Sequence, residues 1–257
     1  MKLRLFHVYH VFRRDVMLWK HQKWLAVLPL ISPIMYILVF SIAMSSFVGE
    51  VEIAGLGTIA YKDFVIPGLI ILGAYTSSML SAISLYLDAE TKMLKEVLTL
   101  PLSIYSYILG KLLACCMKTA VSMLITMLLA LMLGVPFRSP SETLAVALAT
   151  ALAFSSFSLF IVSFIRAQST YNMVVNIVTI PLAVFSNIYY PLEKLPTQIE
   201  LIARCNPISA IITLLRSYMF SPHVDYIAIA VYGALSISLC VLSAVTLKRN
   251  IYRHGVM

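Results

Sequence analysis

Apolar residues gather along this chain into long, nearly unbroken runs, with charges confined to the gaps between them. A bilayer is crossed by about 20 apolar residues in a helix. Six windows reach that length, at residues 24–47, 64–87, 104–133, 143–165, 171–190 and 226–247. Ahead of the first, Leu5, Tyr9, Phe12, Val16 and Trp19 recur at helical spacing, while Arg4, His7, Arg14 and Lys20 lie largely elsewhere around the helix. Residues 1–22 therefore read as an amphipathic helix in the headgroup layer, or more simply as a basic anchor for topology.

Two of the gaps carry pattern of their own. Residues 88–103 read DAETKMLKEVLTLPLS. A helix over 88–101 has Met93, Leu94, Val97 and Leu98 on one face and Asp88, Lys92, Lys95 and Glu96 on the other. Glu90 falls on the apolar side, which predicts a buried or partnered carboxylate. Such a helix is either solvated in a loop or docks its apolar face into a groove on another protein. Residues 191–220 divide into a short amphipathic helix ending at Cys205 and the apolar stretch NPISAIITLLRSYMF. The latter is too short to cross, so it is re-entrant or interfacial, with its backbone satisfied against protein. Pro67 falls near the first turn of the second span, where its missing N–H costs nothing.

Composition agrees with the windows. Of 257 residues, 61% are hydrophobic and only 12% charged, about half the charged fraction of a soluble domain. The predicted fold is all-α and integral to the membrane, with six transmembrane helices in a single domain. The first window is too long, and starts too late, to be a cleaved signal peptide. Charge placement predicts orientation. Twelve Lys and Arg lie on the side of the termini and five on the other (Lys62, Arg138, Lys194, Arg204 and Arg216), with Lys111 and Lys118 inside the third span. Both termini are thus expected in the cytoplasm of a multi-pass protein of the cell membrane. The net charge of +8 is a topology signal, helped by membrane lipid, and not a nucleic-acid footprint. Four cysteines give no disulfide framework and read as small packing residues.

The chemistry implied is that of a passage rather than a reaction. No phosphate-binding loop is present: Gly110-Lys111 lies in a hydrophobic helix and lacks the preceding glycine. No Asp or Glu falls inside a span and the five histidines lie outside the spans, which argues against an ion-coupled carrier, a metal site or a histidine base. No G-x-S-x-G nucleophile elbow occurs. Lys111 is placed to snorkel to the cytoplasm. Lys118, about 21 Å along the helix from Ile104, either lines a polar pathway and meets an anionic substrate group, or belongs to a long helix projecting from the membrane. Ser77, Ser81 and Ser84 share one face of the second span; Asn172, Asn176 and Thr179 share one of the fifth. Both stripes fit interhelical hydrogen bonding or a substrate path. The alanine-rich fourth span fits close helix packing.

Order and wording carry a resemblance. FVIPGLI at the second span, KEVLTLPLS after it, and FSNIYYPLEKLPTQIELIARCNPISAIITLLR after the fifth are similar to segments of the membrane subunits of ABC-2 type exporters, the branch of drug, nodulation-factor and polysaccharide permeases. The resemblance implies a half-transporter, working as a homodimer or with a related chain, over two copies of a cytosolic ABC ATP-binding subunit. ATP and Mg would be bound by that partner, and this chain would carry no cofactor of its own. Residues 88–101 would be the coupling helix, with Glu90, Lys92, Leu94, Lys95, Glu96, Leu98 and Pro101 meeting the ATPase. Residues 1–22 would be the interface helix, and Pro191, Pro196, Asn206, Pro207 and Arg216 would belong to a pair of outer-leaflet helices lining the exit. Candidate pathway residues are Lys118, Ser77, Ser81, Asn172, Asn176 and Tyr190. Lys92-Met93 stands where many relatives have Gly-Thr. The expected cargo is amphipathic or hydrophobic, such as a drug, lipid or lipid-linked glycan. A passive channel or lipid scramblase, or a non-transporting membrane interaction protein, are the alternatives.

Overall fold

A computed structural model describes residues 5–21, 23–39, 49–53, 57–91, 103–192, 195–220 and 225–254. Ten helices and one hairpin fall among them. Helices α1 (Leu5–His21) and α2 (Lys23–Val39) precede strands β1 (Glu50–Ile53) and β2 (Gly57–Ala60). Then follow α3 (Tyr61–Ala82), α4 (Ser84–Glu90), α5 (Ile104–Met132), α6 (Pro140–Val162), α7 (Gln168–Val184), α8 (Thr197–Cys205), α9 (Pro207–Phe220) and α10 (Tyr226–His254).

Four segments are long and apolar enough to cross a membrane: Tyr61–Glu90, Ile104–Met132, Pro140–Val162 and Tyr226–Asn250. The pair α8 and α9, bent by 80°, makes a fifth if taken as one broken span. Helices α2 and α7 have 17 described residues each, about 25 Å of helix at 1.5 Å per residue, short of the ~30 Å hydrocarbon core. The expected first span continues into residues 40–47, outside the described residues. The expected fifth span, 171–190, is corrected: α7 stops at Val184. Pro181 lies within its last turn, and residues 185–190 form consecutive turns and bends. A proline ring removes a ladder donor and weakens continuation of a helix.

The core is built around α3, buried along nearly its whole length. Helices α2, α5, α6 and α9 pack against it. Small residues on α6 (Ala147, Ala151, Ser155 and Ser158, all buried) let α5, α10 and α3 approach it closely. Between the first two expected spans the described residues form a β connection. It is an antiparallel hairpin, Glu50 pairing with Ala60 and Ile53 with Gly57. The end of the bundle bearing α1 is here called proximal, and the end bearing the hairpin, α8 and α9 distal.

Helix α1 turns its apolar face outward and presents a different face to the bundle. Its buried side is Val8, Val11 and Asp15, packed on α5. Leu5 and Tyr9, assigned to the apolar face, are 79% and 56% exposed. The proximity has a simple cause: Gly110 of α5. A Cβ there would stand 2.7 Å from Val11 Cβ and 3.0 Å from the Val8 carbonyl oxygen. Only a residue without a side chain admits α1 this close.

Candidate functional site

The most concentrated polar chemistry lies where α1, α4 and α5 meet at the proximal end. Arg14 Nη2 donates to Asp15 Oδ1 (2.7 Å) and to Asp88 Oδ2 (2.6 Å). Lys111 Nζ stands 2.8 Å from Asp15 Oδ2 and 2.8 Å from Asp88 Oδ2. The Tyr107 hydroxyl donates to Asp88 Oδ2 at 2.7 Å, and Lys111 also donates to the Ser84 carbonyl at 3.3 Å. Lys111, Asp15 and Asp88 are 1%, 2% and 5% exposed. Two cations face two anions, so the cluster is neutral and its members answer one another in a medium where a lone charge would be costly. Burial works against the Arg14 charge, but Asp15 and Asp88 outweigh it and hold the guanidinium above its ordinary pKa.

This quartet overturns three sequence expectations. Lys111 does not snorkel; it is the most buried member. Asp88 does not lie on a solvated face. The buried carboxylate expected at Glu90 is Asp88, two residues earlier, and Glu90 itself is exposed. The reason is tertiary: the partners of Asp88 come from α1 and α5, which a wheel drawn on residues 88–101 alone does not contain. Of the proposed coupling residues only Glu90 is described; Lys92, Leu94, Lys95, Glu96, Leu98 and Pro101 lie outside the described residues. The quartet nonetheless grips the chain four residues before that segment.

The candidate pathway residues do not all gather at one site. Ser77 and Ser81 are buried on α3, and Lys118 is buried on α5. Asn172 and Asn176 are exposed on α7, on a face shared with Met173, Ile177, Ile180 and Val184. Helix α7 is pinned at both ends and packs sparsely between them. Proximally, the Tyr171 hydroxyl donates to the Met79 carbonyl at 3.0 Å. Distally, Asn206 Nδ2 donates to the Leu182 and Phe185 carbonyls, each at 2.9 Å. Tyr190 is half-buried at the distal end.

The distal residues turn out to make joints. Asn206 Oδ1 accepts from the Ile208 N–H at 3.0 Å; it caps α9, with Pro207 in the first helical position where no donor is needed. The same side chain satisfies carbonyls left over at the end of α7. Arg216 is buried rather than open to a passage: Nη2 donates to the Phe64 carbonyl (2.8 Å) and the Asn187 carbonyl (3.0 Å), and the guanidinium lies 4.0 Å from the Phe64 ring centroid. Asn187, which the sequence reading passed over, also donates through Nδ2 to Thr213 Oγ1 at 2.9 Å. Pro191 is buried and Pro196, at the start of α8, exposed. An open apolar groove of about 630 Å³ runs between α7 and α8, lined by Ile177, Pro181, Phe185, Leu201, Ile202 and Cys205.

Apolar membrane-length helices, joined at each end by buried polar clamps, define an integral membrane protein that crosses the bilayer several times. More particularly, the chain belongs to the ABC-2 type transporter family, whose model matches residues 7–220. It is therefore a transporter permease subunit, a component of membrane transport, and membership implies pairing with an ABC ATP-binding subunit. No curated protein matches the chain.

Proposed function

We propose that this chain is the six-span permease half of an ATP-driven ABC exporter, moving an amphipathic or hydrophobic cargo out of the cytoplasm. The four long helices supply the second, third, fourth and sixth spans; α2 with residues 40–47 and α7 with the turns after it supply the first and fifth. The proximal end faces the cytoplasm of the cell membrane, in keeping with the Lys and Arg distribution. Two copies of the ATP-binding subunit, holding ATP and Mg, dock beneath two copies of this chain, at Glu90 and the 92–101 segment.

The observation that carries the reading is the ion quartet. Residues 88–101 are the proposed contact with the ATPase, and Asp88 at their head is bound to α1 and α5 through contacts of 2.6–2.8 Å. Closure of the ATPase dimer that shifts this segment would move α1 and the proximal ends of α3 and α5 together. Such rigid-body tilting biases an inward- or outward-open passage. The exposed face of α7 supports a second copy: two Asn side chains on a membrane helix need partners that lipid does not offer. The reading is tested by gentle purification of the tagged chain from its own membrane and mass spectrometry of what accompanies it. A stoichiometric ATPase with a phosphate-binding loop, lost when Lys95 and Glu96 are replaced, is expected. A chain that transports or scrambles without any ATPase refutes it.

A further inference from the structure

Lys118 lies on α5 seven residues beyond Lys111, about 10 Å deeper along the helix axis. It is 7% exposed. The two lysines share a helix face but not a fate. Lys111 is matched by Asp15 and Asp88, which are in turn balanced by Arg14. Lys118 has no hydrogen bond or ion pair among the described residues. Among the described residues no carboxylate is placed to supply one: apart from Asp15 and Asp88, Glu90 lies at the proximal end, and Glu50, Glu52, Asp63, Glu142, Glu200 and Asp225 lie at the distal end or in its connections. An ammonium in the membrane interior without a counter-charge is costly, and such residues mark the routes of ions and substrates.

Other polar groups lie at the same depth. Ser122, one turn further on the same face, is buried, and its hydroxyl has no partner among the described residues. Helices α3 and α5 run antiparallel in the register set by Lys111 and Ser84. Seven residues along α5 and seven back along α3, buried Ser77 comes level with Lys118. A single cation on a four-carbon stem, with serines near its depth on the facing helix and one turn along its own, suits an oxyanion attached to an apolar body.

We propose that Lys118, with Ser122 and Ser77, is an intramembrane binding point for the anionic group, phosphate, sulfate or carboxylate, of an amphipathic cargo. This rests on the permease reading and narrows its cargo to anionic amphiphiles, whether a lipid or a soluble compound. Nothing in it requires the ATPase, so the two readings fail separately.

The purified chain in phosphatidylcholine nanodiscs is photolabelled with a diazirine-bearing fatty acid or with its methyl ester, and adducts are mapped by mass spectrometry. The acid is expected to label α5 and α3 around Lys118 and the ester is not. Dodecyl phosphate should compete and dodecyltrimethylammonium should not. Lys118→Gln should lose labelling by about tenfold or more, as expected for a lost charge-assisted contact, and Lys118→Arg should retain most of it. Equal labelling by acid and ester in the wild-type chain overturns the proposal even if Lys118→Gln fails to fold, as does equal labelling of a folded Lys118→Gln. Binding without any accompanying ATPase would sink the exporter reading and leave this site standing. An ATPase-coupled transporter indifferent to charge would do the reverse. A lipid source is shown by the anionic lipid of the native membrane copurifying with wild type and not with Lys118→Gln; a soluble source by its absence from both while the probe still binds.

Discussion

Asp88→Asn isolates what the quartet does. The substitution keeps the shape of the side chain and an oxygen for Tyr107, but leaves Arg14 and Lys111 facing Asp15 alone. At 2.8 Å and an effective dielectric of about 20, the Lys111–Asp88 attraction is ~6 kcal/mol before desolvation is subtracted. Removing one partner from a buried ion pair costs about 3–5 kcal/mol, since the other charge stays behind uncompensated. Against a typical stability of roughly 5–15 kcal/mol, that is a large fraction. Unfolding of the purified chain in mixed detergent–SDS micelles measures the loss, and hydrogen exchange over residues 5–21 shows where it falls. Helix α1 should exchange fastest, because Arg14 and Asp15 hold it to the bundle.

The double variant Asp88→Asn with Lys111→Met supplies the control. It restores neutrality, leaving the Arg14–Asp15 pair, and should recover more than half of the lost stability. The reasoning is refuted if Asp88→Asn lies within about 1 kcal/mol of wild type, below the range for a broken buried pair. It is refuted equally if the double variant is no more stable than the single one. Either result would mean that these side chains are not paired in the membrane as they are here.

Other substitutions probe the remaining joints. Gly110→Ala drives a Cβ into Val11 and should cost ~1–3 kcal/mol by overpacking, with faster exchange in α1; adding Val11→Ala should return most of it. Asn206→Ala removes the cap of α9, worth about 1 kcal/mol, and frees the end of α7, so exchange should rise over residues 182–186 as well as 207–211. Asn176→Leu should weaken association of two chains about 3- to 30-fold, the range for one interhelical hydrogen bond in a membrane, read by single-molecule photobleaching in nanodiscs; unchanged dimerisation removes α7 from the interface. Cys205 is the exposed cysteine of the four. With Cys115, Cys116 and Cys240 replaced by Ala, an impermeant maleimide should label intact cells, and labelling only after lysis reverses the proposed orientation.

How much of this was legible depends on where each residue's partners come from. The third window, 104–133, coincides with Ile104–Met132 because an uninterrupted apolar run decides its own helix, and Gly134 at φ +79° ends it. The family was readable for a related reason: its wording lies in local segments. The end of α7 was not, since it is set jointly by Pro181 and by Asn206, which arrives from a later loop. The quartet escaped because its four charges come from three separated segments, and each segment alone reads as ordinary basic or mixed-charge helix. One cue was available. Asp15 is the only carboxylate in the first 49 residues, an odd choice on a basic helix unless something positive and buried waits for it.

That choice bears on function. A well-packed apolar cluster at the same joint would hold α1 to α5 as firmly or more so, because buried ion pairs repay little beyond their desolvation. What ion pairs add is direction. Apolar faces tolerate sliding by small steps, whereas a carboxylate oxygen that accepts from Tyr107 and Arg14 and contacts Lys111 at 2.6–2.8 Å fixes position along and around each helix. The close approach at Gly110 serves the same end by removing the slack between backbones. Both devices sit where, on the proposed permease reading, a push on residues 88–101 would become movement of the spans, and neither is needed merely to keep the helices together.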